Sequence, residues 1–189
     1  MRVLMLVTDA YGGHGGIALC NRNFVQALLE MPEIEEVVVV PRIISDQVYD
    51  VPDKVRVIRD ATGGKGQYVL HSIRAAFGDF GLVICGHVHL LPLAVIVNQY
   101  THARLVQVVH GIDVWQEPFR HARFWLKKVD SIWSVSALTR DLMNSWASQP
   151  ETKYEVLPNA IRLENYGIAD RRRDLMVKFN LIGAKVIMT

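Results

Sequence analysis

The sequence is poor in cysteine, in long apolar runs and in charge of one sign. Its two cysteines, Cys20 and Cys85, each lie in an apolar segment, which disfavours a disulfide framework and predicts buried thiols in a cytoplasmic protein. The longest apolar run, residues 90–97, is far shorter than the ~20 residues that a membrane-spanning helix needs. Lys and Arg number 21 against 19 Asp and Glu, so the strong positive field of nucleic-acid binders is also absent.

The 189 residues do contain a regular alternation of apolar strands and amphipathic helices. Short β-branched runs bounded by turn residues are typical of parallel strands that are buried on both sides. This alternation predicts an α/β fold, with a doubly wound, mostly parallel sheet and helices on both faces. The predicted strands cover residues 2–7, 36–40, 55–58, 81–85, 104–109, 131–135 and 154–157.

Three of the predicted helices have an apolar face at three- and four-residue spacing. Pro32 ends the first of them, and Ser136 is the expected N-cap of the third. The predicted buried faces are Ile17, Cys20, Phe24, Ala27, Leu28 and Met31 in the first helix, Val69, Ile73, Ala76 and Phe77 in the second, and Leu138, Leu142 and Trp146 in the third.

A glycine-rich loop follows the first predicted strand, at the edge of the sheet where doubly wound proteins bind ligands. Gly15 and Gly16 have no side chain to block a ligand, and the unpaired N–H groups that open the next helix favour an anion such as phosphate. Gly13–Ala18 also fits the dinucleotide fingerprint G-x-G-x-x-G/A, so a nicotinamide-dependent oxidoreductase is an alternative. Two features disfavour the oxidoreductase. Five residues separate the first strand from the fingerprint, and the second strand is followed by Pro41-Arg42 where a dinucleotide-binding protein has an acidic residue.

Histidines follow two other predicted strands and are expected at the same edge of the sheet. His87 and His89 come after the fourth strand, and His110 with Asp113 after the fifth. Imidazole and carboxylate groups are common metal ligands, so a metal site is a further alternative. Hydrogen bonding at a strand end is the more ordinary role of such histidines, and no metal is predicted.

Four short motifs occur in a characteristic order: "GGIA" at residues 15–18, "HGID" at 110–113, "DSIWSVSALTRDLM" at 130–143 and "LPNAI" at 157–161. Together they resemble the N-terminal, acceptor-side domain of the GT-B-fold retaining glycosyltransferases of family 4. The resemblance covers essentially the whole chain and implies a Rossmann-like domain. It further implies transfer of a sugar, with retention, from a nucleotide-diphosphate sugar to a glycan, lipid-linked or small-molecule acceptor.

The resemblance also implies roles for individual residues. It places His110 near the transferred sugar as the catalytic residue, and it assigns two further groups. Those expected near the donor diphosphate and sugar are Gly15, Gly16, Ile17, Ser136 and Asn159, and those expected near the acceptor are His14, His87, His89 and Asp113. Two positions depart from the family pattern, because Ala160 stands where glycine is usual and Arg162 where aspartate is common.

The last residues are expected to begin a second domain. Residues 1–168 form the predicted acceptor-side domain, and residues 169–189 a linker helix, a turn at Gly183 and the first strand of a truncated donor domain. In the family, the donor domain supplies the basic residues and the glutamate motif that hold the donor, so this chain alone is expected to be inactive. No cofactor is predicted beyond the nucleotide sugar as co-substrate, and a non-catalytic binding module remains an alternative.

The expected partners are the nucleotide sugar, the acceptor and the chain's own second domain. Basic and aromatic residues alternate between Trp115 and Lys128, which suits either a partly buried helix or peripheral contact with the inner face of an anionic membrane. Nucleic acid is not expected as a partner.

Overall fold

A computed structural model describes residues 1–13, 15–44, 50–161 and 170–185 of the chain. Within these ranges, seven parallel strands form one sheet, as the sequence predicted. The strands are β1 (Arg2–Val7), β2 (Glu36–Pro41), β3 (Val55–Val57), β4 (Leu82–Cys85), β5 (Arg104–Val109), β6 (Ser131–Ser134) and β7 (Tyr154–Val156). Their order across the sheet is β3-β2-β1-β4-β5-β6-β7.

Helices connect most of these strands. They are α1 (Gly16–Leu29), α2 (Lys65–Ala75), α3 (Leu91–Thr101), α4 (Ala122–Leu126), α5 (Ala137–Ala147) and α6 (Arg173–Lys178). Single 3-10 turns occur at Arg59–Thr62, Val88–Leu90 and Glu151–Lys153.

The helices lie on both faces of the sheet, which confirms the doubly wound prediction. Val25 and Leu28 of α1 belong to one apolar cluster, and the buried apolar residues of α2 through α5 belong to another on the opposite face. The chain winds from β1 outward to β3, returns through α2 to β4, and then winds the other way to β7. The loops after β1 and β4 therefore diverge, and the crevice between them is where sheets of this type bind ligands.

The predicted buried face of α2 was right for Ala76 and wrong for Val69 and Phe77. Val69 is 42% exposed and Phe77 is 74% exposed, whereas Tyr68, Ser72 and Ala76 are buried. Both rows of side chains are spaced for one helix face, so periodicity alone does not choose between them. The row with small Ser72 and Ala76 lets the helix approach the sheet more closely, and the Tyr68 ring fills the remaining space.

The predicted face of α5 was also wrong for Leu138, which is 60% exposed, while Met143 and Trp146 are fully or nearly buried. The Trp146 indole Nε1 donates a hydrogen bond of 2.7 Å to the Val114 carbonyl oxygen, and this bond fixes the rotation of the helix. The predicted N-cap is confirmed, because the Ser136 hydroxyl accepts the Thr139 N–H at 3.1 Å.

Helix α1 has only part of its predicted face in the core. Phe24, Ala27 and Met31 line an apolar groove of about 310 Å³ instead. The Trp133 ring also lines it, with its centroid 5.7 Å from that of the Phe24 ring. Helix α3, which the periodicity did not assign, contains all but the first residue of the apolar run at residues 90–97. It is apolar on nearly all sides, and such helices lack the alternation that marks an amphipathic one.

The predicted helix and turn near the C-terminus are present as α6 and as a turn at Gly183, where φ is +78°. The predicted domain boundary near residue 168, Arg162, and residues 186–189 of the predicted last strand lie outside the described residues. Ala160 does not have a positive φ, so its replacement of the usual glycine causes no backbone strain. Along the described ranges, no helix has the length and apolarity needed to cross a membrane.

Candidate functional site

Side chains of α1 hold the glycine loop that follows β1. The Arg22 guanidinium donates hydrogen bonds to the carbonyl oxygens of Ala10 and Gly13, the second at 3.0 Å. The Asp9 carboxylate accepts the Gly12 N–H at 2.9 Å, within the loop itself. The backbone from Ala10 to Gly13 is therefore held by side chains of α1 and of the loop itself.

Gly15 and Gly16 stand at the N-terminus of α1 without a packing reason to be glycine. Among the described residues, a Cβ added at either position would meet no heavy atom within 4 Å, and neither residue has a positive φ. Gly15 is the N-cap, yet no side chain caps the helix, and its first turn carries no acidic residue. The first N–H groups of α1, including that of Ile17, are thus available to an anion. His14 lies outside the described residues.

Three predicted histidines come together at the carboxyl edge of β4 and β5. The His87 and His89 rings stack with their centroids 5.3 Å apart, and the His87 and His110 rings lie 6.5 Å apart. His87 is extended and caps the turn at Val88–Leu90, because its Nδ1 accepts the His89 N–H at 3.3 Å.

Burial lowers the pKa of His87 below its ordinary value of 6.5. Positive charge on His89, His110 or Arg42 lowers this pKa further, and the Asp113 carboxylate opposes the shift. The cluster therefore favours a neutral His87, and the edge gathers several groups that can carry positive charge.

The loop after β5 is a tight turn that fixes His110 at both backbone and side chain. The Asp113 carboxylate oxygens accept the His110 backbone N–H at 3.2 and 3.4 Å, and Gly111 has a φ of +142°, which favours glycine. The His110 Nε2 lies 2.8 Å from the Gly86 carbonyl oxygen. Asp113, predicted as an acceptor ligand, thus holds the turn in this structure.

Two other predicted donor residues make local contacts of their own in this structure. The Ser136 hydroxyl donates to the Thr139 hydroxyl at 3.0 Å and also accepts the Thr139 N–H, so both of its hydrogen-bonding roles serve α5. Asn159 lines the apolar groove, and the neighbouring Ala160 carbonyl oxygen accepts from Asn23, about two turns along α1 from Gly16. Donor roles for Ser136 and Asn159 stay predictions.

The histidine cluster does not have the arrangement of a metal site. Within the described residues, no three His, Cys, Asp or Glu side chains are placed to hold a metal ion together. The His110 Nε2 contacts a carbonyl oxygen and the His87 Nδ1 contacts a backbone N–H, which is the ordinary role of histidine at a strand end.

Sequence reasoning missed four residues that shape this edge: Asn21, Arg22, Arg42 and Gly86. Asn21 and Arg22 stand on α1 and look like members of its solvent-facing side, yet Asn21 is fully buried. Arg42 was considered in the sequence only because no acidic residue stands there, and Gly86 belongs to no sequence motif. No sequence signal marks them, because each acts through contacts between distant segments.

No protein-family model matches this sequence, and no curated protein matches it. Solved structures do match its fold. Anabaena HepE, solved in complex with UDP-glucose, is 16% identical, with a TM-score of 0.65 over 97% of this chain and 50% of HepE. WaaB, a lipopolysaccharide outer core galactosyltransferase, is 14% identical, with a TM-score of 0.59 over 92% of this chain and 50% of WaaB.

WaaG, a glycosyltransferase involved in lipopolysaccharide biosynthesis, is 12% identical, with a TM-score of 0.57 over 95% of this chain and 51% of WaaG. The chain thus spans about half the length of each of these proteins. Identities this low show the fold alone. The chain has the doubly wound, Rossmann-like α/β fold found in one half of these GT-B structures.

Proposed function

We propose that this chain is the acceptor-side domain of a glycosyltransferase that uses a nucleotide-diphosphate sugar. The observation that carries the proposal is the pair Gly15 and Gly16, which the fold does not require and which leave the N-terminus of α1 open at the crevice. An open helix N-terminus favours a diphosphate, and the absence of side chains lets one approach the backbone. HepE, with which the chain shares its fold, binds UDP-glucose.

On the donor side, the N–H groups of Gly16 and Ile17 would donate hydrogen bonds to the leaving diphosphate as negative charge builds on it. Such fixed dipoles stabilise a transition state without first having to reorganise, which is the strongest contribution that this loop can make. Arg22 and Asp9 would keep the loop in place during the reaction, because they bond its backbone.

His110 would act on the sugar itself. Its ring is held at the edge of the crevice by the Gly86 carbonyl oxygen, and its backbone by Asp113. A fixed imidazole is suited to hydrogen-bonding a sugar hydroxyl, which orients the anomeric carbon toward the acceptor. The transfer is proposed to proceed with retention, from the same face of the sugar that the diphosphate leaves.

The acceptor would lie over His87 and His89, beside the transferred sugar. These stacked rings present both an apolar face and hydrogen-bonding nitrogens, which suits a sugar or another hydroxylated acceptor. His14 and Asp113 complete the predicted acceptor set. The acceptor is proposed to be a glycan, a lipid-linked intermediate or a small molecule.

A second domain of similar size is proposed to supply the remaining donor contacts. The chain spans about half of HepE, WaaB and WaaG, and its own edge holds no basic pair in the glycine loop to neutralise a diphosphate. We therefore expect the 189-residue chain to transfer sugar at a negligible rate unless that domain is present.

The test is donor hydrolysis and sugar transfer by the protein that includes this second domain, with UDP-glucose as the first probe. His110→Ala and Gly16→Trp should each reduce both rates by at least about 10-fold, because they remove a sugar contact and fill the anion position. Phe77→Ser, at an exposed position just after α2, is the control and should leave both rates unchanged. Full activity in both site variants would contradict the assignment.

A nicotinamide-dependent oxidoreductase is the second candidate, and the strand order favours it. The first six strands follow the order 3-2-1-4-5-6 of dinucleotide-binding sheets, and the crevice lies at the same switch point. Arg42, rather than an acidic residue, follows β2, which disfavours a ribose contact. Saturable binding of NADH or NADPH at micromolar concentration, in a fluorescence titration, would support this candidate over glycosyl transfer.

A non-catalytic binding module is the third candidate and shares the same edge. It predicts that a sugar or nucleotide sugar binds but is never consumed. Complete absence of hydrolysis and transfer in the two-domain protein, together with saturable UDP-glucose binding that His110→Ala weakens, would favour this candidate.

We also propose that residues 115–128 rest on an anionic membrane at the cytoplasmic side. Trp115 is 42% exposed and Phe124 54% exposed. Arg120, Arg123 and Lys127 line a shallow depression of about 730 Å³ together with His121. Only Glu117 offsets them, and it pairs with Arg123 at 3.7 Å. Exposed aromatic rings beside cationic groups are typical of surfaces that settle at lipid headgroups.

Vesicle sedimentation tests this surface. Vesicles with phosphatidylglycerol should bind the chain more than vesicles of phosphatidylcholine alone, and Lys127→Glu with Phe124→Ser should abolish the difference. Lys54→Glu, a charge reversal at an exposed site outside this segment, is the matched control. Binding that does not depend on anionic lipid would dismiss the proposal.

A further inference from the structure

One glycine lies between the two halves of the candidate site and contacts both. Gly86 follows β4, so it stands at the carboxyl edge beside the glycine loop of β1 and the turn after β5. Its carbonyl oxygen contacts the His110 ring, and its Cα faces the end of β1 and the start of α1. No sequence motif includes it.

The contact with Gly86 determines which nitrogen of His110 carries the proton. A carbonyl oxygen only accepts hydrogen bonds, so Nε2, at 2.8 Å from it, must be the protonated nitrogen. In the neutral ring, Nδ1 is then an acceptor. No described residue pairs with Nδ1.

Gly86 is glycine because of packing and not because of its backbone angle. Its φ is not positive, but an added Cβ would stand 2.9 Å from the Val7 Cγ1, 3.0 Å from the Asn21 Oδ1 and 3.3 Å from the Leu6 carbonyl oxygen. The Gly86 N–H also donates to that Leu6 oxygen at 2.8 Å. A side chain here would push the end of β4 away from β1, and the carbonyl oxygen that holds His110 would move with it.

Asn21 fills the space on the other side of Gly86. It is fully buried, and its Nδ2 donates to the Asp9 carbonyl oxygen at 2.7 Å, at the start of the glycine loop. Its Oδ1 faces Gly86 and has no hydrogen-bond partner among the described residues. A buried, closely packed side chain has little freedom to move. Because Asn21 contacts both the start of the glycine loop and Gly86, a shift in one of these segments should be accompanied by a shift in the other.

We propose that Asn21 and Gly86 are positioning residues that set the glycine loop and His110 as one unit, and that His110 meets the substrate through Nδ1, as an acceptor from a sugar hydroxyl. This inference rests on the proposed glycosyl transfer for the identity of the substrate. The arrangement of Asn21, Gly86 and His110 itself does not depend on it.

The first experiment measures the His110 tautomer in the 189-residue chain, by two-dimensional NMR of ¹⁵N-histidine, with the His110 signals identified as those lost in His110→Gln. A neutral ring protonated at Nε2 is expected. A ring protonated at Nδ1, or an even mixture of both forms, would overturn the inference. This measurement needs no substrate and no folded variant of Asn21 or Gly86.

The second experiment compares Gly86→Ala and Asn21→Ala with Gly66→Ala, whose Cβ meets nothing within 4 Å. In the two-domain protein, the first two variants should lower kcat by about 10-fold or more, with a smaller change in KM, because a misplaced His110 spoils the reacting geometry more than binding. In the 189-residue chain alone, Gly86→Ala and Asn21→Ala should each broaden the His110 NMR signals or increase the fraction of the ring that is protonated at Nδ1. Gly66→Ala should change neither kcat nor the spectrum.

The outcomes separate this inference from the proposed function. Loss of stability in both variants with an unchanged His110 spectrum and unchanged kcat would show a purely structural role and overturn the inference. Where Gly86→Ala does not fold, Asn21→Ala decides the question, since its Ala side chain creates space and no clash. An Nε2-protonated His110 in a protein that consumes no nucleotide sugar would refute the glycosyltransferase proposal and leave the geometric linkage standing.

Discussion

Gly16→Ala should raise the stability of this protein while it impairs use of the donor. The added Cβ meets nothing within 4 Å and the backbone angle is ordinary, so the fold gains from a less flexible unfolded chain. The gain is about 0.4–1 kcal/mol, which corresponds to a rise in Tm of about 1–4 °C for a chain of this size.

The loss of function follows from the direction of the same Cβ. In a helix, Cβ atoms tilt toward the N-terminus, so a methyl group on Gly16 points into the space where the diphosphate would sit. Disturbing one hydrogen bond to a charged group costs about 1.5–3 kcal/mol, which corresponds to a loss of about 10- to 150-fold in kcat/KM for the donor.

Gly66→Ala is the matched control for both measurements. Gly66 is the second residue of α2, its Cβ position is equally open, and that helix also begins without a side-chain cap. It should raise Tm by a similar amount without any change in kcat/KM. The assays are thermal unfolding of the chain and UDP-glucose hydrolysis by the two-domain protein. An unchanged kcat/KM for UDP-glucose in Gly16→Ala would refute the proposal that the loop binds the diphosphate. A lowered Tm would show that the added Cβ does not fit at this position.

Three further predictions concern α5 and the histidine cluster. Ser136→Ala should lower the free energy of unfolding by about 1 kcal/mol in urea titrations, and Ser136→Asp should restore it, because the side chain caps α5; a stable Ala variant would contradict that role. Met143→Ala should lower the free energy of unfolding by about 2–5 kcal/mol and Leu138→Ala by under about 0.5 kcal/mol, since only Met143 is buried. Equal losses in the two variants would refute the observed helix face. Because the folded His87 has a lowered pKa, the unfolded chain takes up its proton first, so stability should fall as pH drops below about 6.5 and level off below the folded pKa. His87→Gln should flatten this part of the profile, and an unchanged profile would show that His87 does not cause it.

The sheet could be predicted from the sequence because most of the strands are short, largely apolar runs that can be recognised without their partners. Helix rotation could not, as α2 shows: the rows that contain Tyr68 and Val69 are both spaced for burial, and only contact with the sheet selects the first. In α5, the bond from Trp146 to the distant Val114 makes the selection. Rotation is thus a property of tertiary packing that no local pattern contains.

The candidate site was predictable to a similar degree. Strand ends locate Gly15, His87 and His110, because parallel strands bring their carboxyl ends to one edge. The contacts that orient these residues join segments far apart in the chain, as between Asn21 and Gly86, and the side chains involved carry no motif. Ser136, which matches a functional motif, also caps α5, and its donor role stays a prediction.

The reversal of winding between β1 and β4 limits where this protein can evolve new specificity. Right-handed crossovers place α1 on one face and α2 through α5 on the other, so the sheet has a single point at which two neighbouring loops open away from each other. Insertions after β1, β4 or β5 change what fits into that opening without disturbing a helix–sheet contact. Changes of similar length at the opposite ends of the strands alter the crossover turns and not the opening. Sequence variation that changes substrate choice should therefore accumulate along the carboxyl edge of the sheet, whereas variation at the other edge should be limited by folding.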